Sequence, residues 1–260
     1  MGLIGAILGD IAGSQYEFPS KRPRDLNWET CDLFTDRCEF TDDTVMSIAT
    51  KVALDDDISF VKCYQEYGRL YPNVGYGMNF EMWIKDRDPK PYGSFGNGSA
   101  MRVSYVADKF NTQEDVIHWA IKSAECTHND PEGIKGAVVT AMCSFLAKQG
   151  RSKTEIFNYT IFEYNEDYLY PITMTLDEIR KYYKWNETCQ GSVPVAIRCF
   201  LESESYVSCS RNVFSLKCDM DTLGSIAGGI AESYYGTTGM DNDKLLKRYL
   251  DNRLYKIVKS

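Results

Sequence analysis

Apolar residues recur three and four positions apart along most of the chain, as in Val45, Ile48, Ala49, Val52 and Ala53, and again in Val116, Ile117, Ala120, Ile121 and Ala124. Positions so spaced share one face of an α-helix. The pattern predicts helices over residues 3–16, 42–55, 59–70, 78–86, 99–107, 113–125, 131–149, 153–163, 175–185, 193–203, 206–215, 222–235 and 243–256. Capping residues agree with it. Thr41, Thr112, Ser152 and Ser192 each precede such a run, and Pro131 and Pro194 fall where first-turn prolines are tolerated. Only "DYLYPITMT", residues 167–175, reads as extended, and Pro171 makes it a poor central strand because proline cannot donate to a ladder. The expected class is all-α, with residues 1–260 forming a single globular domain. The longest piece without a period is 18–38, "FPSKRPRDLNWETCDLFTDRC", and long irregular segments commonly carry function.

Charge narrows the function classes. Lys and Arg total 29 against 37 Asp and Glu, a net charge of −8 with no basic block, which argues against nonspecific nucleic-acid binding. The N-terminal "MGLIGAILGDIAG" lacks a basic leader, and Asp10 interrupts it well short of the ~20 apolar residues a bilayer requires. The expected setting is therefore cytoplasmic, with no membrane association. Nine scattered cysteines contain no C-x-x-C pair and are expected to be reduced thiols in the core.

The candidate chemistry lies in two acidic helix starts. Thr41-Asp42-Asp43 opens one apolar helix, and Asp219 and Asp221 precede Thr222 ahead of another. Carboxylates in a first turn are ordinary, since the N-terminal dipole favours them, so a capped and solvated helix start is the simpler reading of either. Two of them invite a second reading. In an extended lead-in, Asp219 and Asp221 would share a face, and small residues at Gly224, Ala227, Gly228, Gly229 and Ala231 let the helix behind them approach its neighbours closely. If these ends met near Glu17, their mutual repulsion would raise the carboxyl pKa values or demand cations. An all-oxygen donor set of carboxylates and hydroxyls selects two divalent cations, Mg²⁺ or Mn²⁺, over zinc.

Five segments in order, "GAILGDIAGSQYE", "FTDDT", "YGSFGNGSAMR", "SAECTHND" and "DMDTLGSIAGGIAESYYG", resemble the ADP-ribosylglycohydrolase family. That group includes dinitrogenase reductase-activating glycohydrolase and the ADP-ribosyl-acceptor hydrolases. The resemblance implies a compact orthogonal helical bundle with a dinuclear metal cleft. It aligns Thr41, Asp42 and Asp43 with one metal motif, and Asp219, Asp221 and Thr222 with the other. Glu17 falls at an acidic position that sits on a mobile flap in members cleaving serine-linked ADP-ribose, which would make 18–38 part of that flap. The loop Gly93, Ser94, Phe95, Gly96, Asn97, Gly98 and Ser99 is similar to the family's diphosphate-binding loop, although an ordinary Gly/Asn turn is the plainer reading. His128 matches a histidine near the diphosphate, whereas His118 is expected to be structural. Phe95 and Tyr76 are candidates to lie against sugar or adenine, with the core as the other reading.

The implied reaction is hydrolysis between C1″ of ADP-ribose and an acceptor side chain, with an ADP-ribosylated protein or conjugate as substrate. Asp43 or Asp219 would be the base. A small ADP-ribose conjugate or ADP-ribosylated nucleic acid is the alternative substrate, and a catalytically inactive ADP-ribose-binding member the alternative class. One departure stands out: "KCDMDT" replaces the "GGDTDT" of many relatives, so Lys217, Cys218 and Met220 flank the retained ligand positions.

Overall fold

The computed structural model describes residues 2–18, 20–164 and 171–260. Among them it contains helices and one isolated antiparallel bridge, Gly96 to Thr188, with no strand. The helices are α1 (Leu3–Ser14), α2 (Asp42–Asp55), α3 (Phe60–Leu70), α4 (Met78–Lys85), α5 (Gly98–Met101), α6 (Ser104–Lys109), α7 (Gln113–Glu125), α8 (Pro131–Lys148), α9 (Lys153–Tyr164), α10 (Leu176–Tyr182), α11 (Cys189–Leu201), α12 (Tyr206–Phe214), α13 (Met220–Tyr235), α14 (Asn242–Tyr249) and α15 (Asn252–Lys259). No helix among the described residues is long and apolar enough to cross a membrane.

Most expected helices are present, and the differences have physical causes. The helix expected over 99–107 is two, because Arg102 and Val103 adopt ψ of −1° and −6° and the Arg102 guanidinium turns inward to Ser123 O. The one expected over 243–256 breaks at extended Leu250, and Asp251 recaps the chain by accepting the N–H groups of Arg253 and Leu254. Ser192 is not a cap. Thr188 caps α11 instead, accepting from Gly191 N, so the helix starts at Cys189 and Pro194 lies inside it rather than in its first turn. Of the segment read as extended, residues 167–170 lie outside the described residues and Pro171–Thr173 form a 3₁₀ turn. Helix α1 ends at Ser14, which puts Glu17 in the turn beyond it.

The centre of the fold is α1 against α13. Gly5, Gly9 and Gly13 recur every four residues and face Gly228, Gly224 and Met220 in turn, so the two helices run antiparallel with backbones in contact. The pairing presses the C-terminal end of α1 against the N-terminal end of α13. The pair is also held at its far end, where Gly2 N and Leu3 N donate to Asp108 and Gly5 N donates to Glu232 Oε2 at 2.6 Å. Residues 20–38 pack on the same core, with Leu33 and Cys38 buried, Gln15 Nε2 donating to Leu33 O and Arg211 donating to Trp28 O. All nine cysteines are free thiols, and eight are buried.

Glu232 makes this contact pH-sensitive. Burial, with help from Asp108, pushes its carboxyl from 4.5 up to about 7, against the Gly5 N–H bond. A carboxyl raised in the folded state favours folding fully below its unfolded pKa, and that contribution is lost as pH climbs through the folded value. The charged form therefore costs up to about 3 kcal/mol above pH 7. Glu232→Gln is expected to raise the melting temperature by several degrees at pH 8 and by little at pH 5. Equal shifts at both pH values in calorimetric melts would show that the carboxyl titrates normally.

Candidate active site

Three helix ends converge where α1 meets α13. Asp10, wholly buried on α1, reaches the start of α2: its Oδ1 accepts from Thr41 Oγ1 at 2.7 Å, and its Oδ2 accepts from Thr41 N and Thr44 N, both at 3.0 Å. Asp10 thus works as a cap supplied by a neighbouring helix, satisfying N–H groups that α2 cannot satisfy itself. Thr41 is the local cap, accepting from Asp43 N at 3.3 Å. From α13, Thr222 Oγ1 donates to Asp43 Oδ2 at 3.2 Å. Asp219 is the N-cap residue of α13 and Asp221 lies in its first turn, so they are not side by side on an extended lead-in; Asp219 Oδ2 instead accepts from Asn97 Nδ2 at 2.8 Å. One oxygen each from Asp10, Asp43 and Asp221 lie within 4.8 Å of one another, a set that could hold a metal ion.

The electrostatics point the same way. Burial is the largest cause raising all five carboxyls. Asp10 and Asp219 are pushed to about 6, and Asp42, Asp43 and Asp221 stand well above the usual range, with their mutual repulsion adding to burial. No Lys or Arg counters them among these causes, and Asp43 Oδ1 is a buried oxygen without a partner among the described residues. Uncompensated buried carboxylates are costly, and hard oxygen donors in this number suit a hard divalent cation.

The cluster floors a cavity of about 820 Å³. Asp42, Asp43, Asp219, Asp221 and Thr222 line it, together with Glu17, Tyr76, His128 and the loop from Gly93 to Gly98. Asp42 Oδ1 and Glu17 Oε1 converge on Gly75, where a Cβ would sit 3.3 and 3.7 Å from them; Glu17 also pairs with Lys21 at 3.2 Å. Tyr76 is buried, its hydroxyl without a partner among the described residues, while Phe95 stands half exposed at the mouth. Two expected residues face elsewhere. The Ser99 hydroxyl turns away to donate to Gly133 O at 2.7 Å, and Thr41 sits behind Asp43, bonded to Asp10. Asn97 braces Asp219 as well as shaping the loop. His118 is exposed on α7 with its ring edge against Trp119.

A family model described as ADP-ribosylglycohydrolase matches residues 1–258. The chain belongs to the ADP-ribosylglycohydrolase family. "ADP-ribosylhydrolase ARH3" of Homo sapiens is 29% identical to it, over 90% of this chain and 84% of that protein, and the Bos taurus protein of the same name matches to the same extent. A solved structure titled "ADP-ribosylglycohydrolase-related protein complex" superposes with a TM-score of 0.70 at 19% identity, covering 98% of this chain and 95% of that one, a likeness that concerns the fold. Membership places the chain among the glycohydrolases and agrees with the five resembling segments.

Several cavity residues of this family member were not legible as site residues beforehand: Phe18, Met46, Tyr92, Arg102, Trp185, Glu187 and Thr188. Trp185 reaches the site because its indole N–H donates to Glu17 O at 3.2 Å, and Glu187 because its carbonyl accepts from Asn97 N at 2.8 Å. Neither contact leaves a periodic signal. Asp10 did leave one, a lone carboxylate amid the apolar residues of α1, of the kind that a buried element tolerates only with partners.

Proposed function

We propose that the cavity binds ADP-ribose joined through C1″ to an acceptor side chain and hydrolyses that bond. Water's oxygen bonds to C1″, the bond from C1″ to the acceptor breaks, and the acceptor leaves with a proton, giving ADP-ribose and an unmodified acceptor. The observation that carries this reading is a carboxylate-floored cavity walled by a glycine-rich loop, in a chain of this family.

Asp42, Asp43, Asp219 and Asp221, completed by Thr222, would hold two Mg²⁺ or Mn²⁺ ions, with Thr41, bonded to Asp10, supporting Asp43 from behind. Bound there, such ions supply orientation of the ribose hydroxyls, charge neutralisation and a lowered pKa for water. Asp43 and Asp219 are the candidates for the base that takes water's proton, and the unpartnered Asp43 Oδ1 is an open acceptor for it. Asn97 holds Asp219 from one side, fixing the direction of its carboxylate. Glu17 is proposed to ligate when substrate is absent and to yield when ribose enters, consistent with its nearness to Asp42 over Gly75. The wall from Gly93 to Gly98 is proposed to take the diphosphate, with Tyr76 and Phe95 against the sugar or base. A cytoplasmic setting suits nine free thiols.

The test is incubation with arginine-linked, serine-linked and nucleobase-linked ADP-ribose conjugates, following ADP-ribose release by mass spectrometry. Release is expected from a protein-type conjugate with Mg²⁺ or Mn²⁺ and none with EDTA. Undiminished release in EDTA would sink the metal assignment. Tight ADP-ribose binding without release from any conjugate would make the chain a binding member rather than a hydrolase.

A further inference from the structure

Arg102 is sealed inside the protein at 1% exposure, over the Tyr64 ring at 4.2 Å, and lines the same cavity. Among the described residues no carboxylate pairs with it; its guanidinium donates to Ser123 O at 2.6 Å and to Thr127 Oγ1 at 2.9 Å. A buried cation without an anion is expensive, and in a cavity wall the missing anion can be a ligand.

The next atom along decides what that charge does. A guanidinium only donates, so Thr127 Oγ1 accepts from it and has one proton of its own to give. Two acceptors lie in reach, Ala124 O at 3.5 Å and His128 Nδ1 at 2.7 Å. The shorter contact takes the proton. His128 Nδ1 is then an acceptor, and the proton of the neutral ring resides on Nε2. That nitrogen faces the loop: a Cβ on Gly98 would lie 3.1 Å from it and one on Gly96 3.6 Å, and no protein acceptor among the described residues bonds it. The imidazole is 5% exposed and lines the cavity.

We propose that Arg102 and Thr127 are positioning residues that lock His128 as an Nε2–H donor aimed at an anionic group of the nucleoside-diphosphate class seated on the Gly96–Gly98 wall. The inference deepens the proposed function and rests on its reading of that loop as the diphosphate wall. Burial and the Arg102 charge hold His128 well below the usual histidine range, so the ring stays neutral and recognises by hydrogen bonding, not by charge. The positive charge comes from Arg102 behind it, whose field also reaches Tyr92 beside the loop and Cys189, whose Sγ lies 3.1 Å from Gly96 O. A fixed tautomer and a fixed charge pre-organise the wall for an anion at no cost on binding.

The chain has two histidines, so ring ¹⁵N spectra contain two sets of signals, with exposed His118 as the internal control. One ring in wild-type protein is expected to show the Nε2–H pattern. Thr127→Val keeps the shape and removes the hydroxyl; it should mix the two tautomers and raise the Kd for ADP about tenfold, the loss of one hydrogen bond to an anion. Adenosine, lacking the diphosphate, should bind Thr127→Val as it binds wild type, and Thr127→Ser should restore both tautomer and ADP affinity. The wild-type spectrum needs no variant, so a poorly folding Thr127→Val does not remove the test. An Nδ1–H ring in wild type, or a Thr127→Val Kd for ADP equal to wild type, overturns the positioning role. A wild-type chain with the Nε2–H ring that binds neither ADP-ribose nor ADP rejects the functional reading instead, and with it the anion assigned to this donor.

Discussion

Asp43→Asn is expected to lower turnover by at least about a hundred- to a thousandfold while leaving a folded protein. Asp43 lies in the first turn of α2 facing α13, where its Oδ2 accepts from Thr222 and lies 3.4 Å from Thr41 Oγ1, and its Oδ1 has no partner among the described residues. The substitution is nearly isosteric, so packing survives, but it takes a full negative charge from the proposed cation site and adds an N–H₂ donor among acceptors. Burial first, then Asp10, Asp42 and Asp219, hold the Asp43 carboxyl well above its ordinary range, so in chelated protein the amide relieves repulsion. The chelated variant should therefore melt at or above the wild-type temperature. Added Mg²⁺ should shift its melting temperature far less than it shifts wild type, since stabilisation by a ligand follows affinity for the folded state. Turnover and the Mg²⁺-induced shift, read on one preparation, separate loss of the cation site from loss of fold. Near-wild-type turnover would move the chemistry away from Asp43.

Gly9→Ala is expected to prevent folding, or to cost more than about 3 kcal/mol where folded protein is recovered. A Cβ on Gly9 would lie 2.0 Å from Gly224 O and 2.4 Å from its carbonyl carbon, and these are backbone atoms with no rotamer to change. The only relief is separation of α1 from α13. Function would fall with stability, because α1 carries Asp10, which holds the start of α2, and α13 carries Asp221 and Thr222. The contrast is Gly77→Ala, where a Cβ meets nothing within 4 Å and φ is −62°; only an exposed helix start changes, worth about 1 kcal/mol or less. Urea unfolding of both variants measures the difference. A Gly9→Ala midpoint close to wild type would show that the backbone contact is dispensable.

The local code of this chain is legible without its structure. Apolar period and caps mark most helices, since both act within a few residues: Thr41 before α2 and Thr112 before α7 accept the very N–H groups a capping residue is suited to accept. The acidic residues at two helix starts and the closely packed glycine helix behind one of them were visible for the same reason, and the order of five segments marked the family. What the residues could not say is which ends meet. Antiparallel contact of α1 with α13 brings Asp219 and Asp221 to the floor shared with Asp42 and Asp43, and that contact depends on backbone proximity between residues more than two hundred positions apart. Tertiary pull also decided the breaks: the Arg102 side chain leaves its helix for Ser123 and Thr127, and Thr188 rather than Ser192 starts α11 because the 93–98 loop bridges to it through Gly96. Asp10 shows the division most plainly. Its helix follows from period alone, yet its role as the cap of another helix is set by a neighbour thirty-one positions away, beyond the reach of any pattern that repeats every three or four residues.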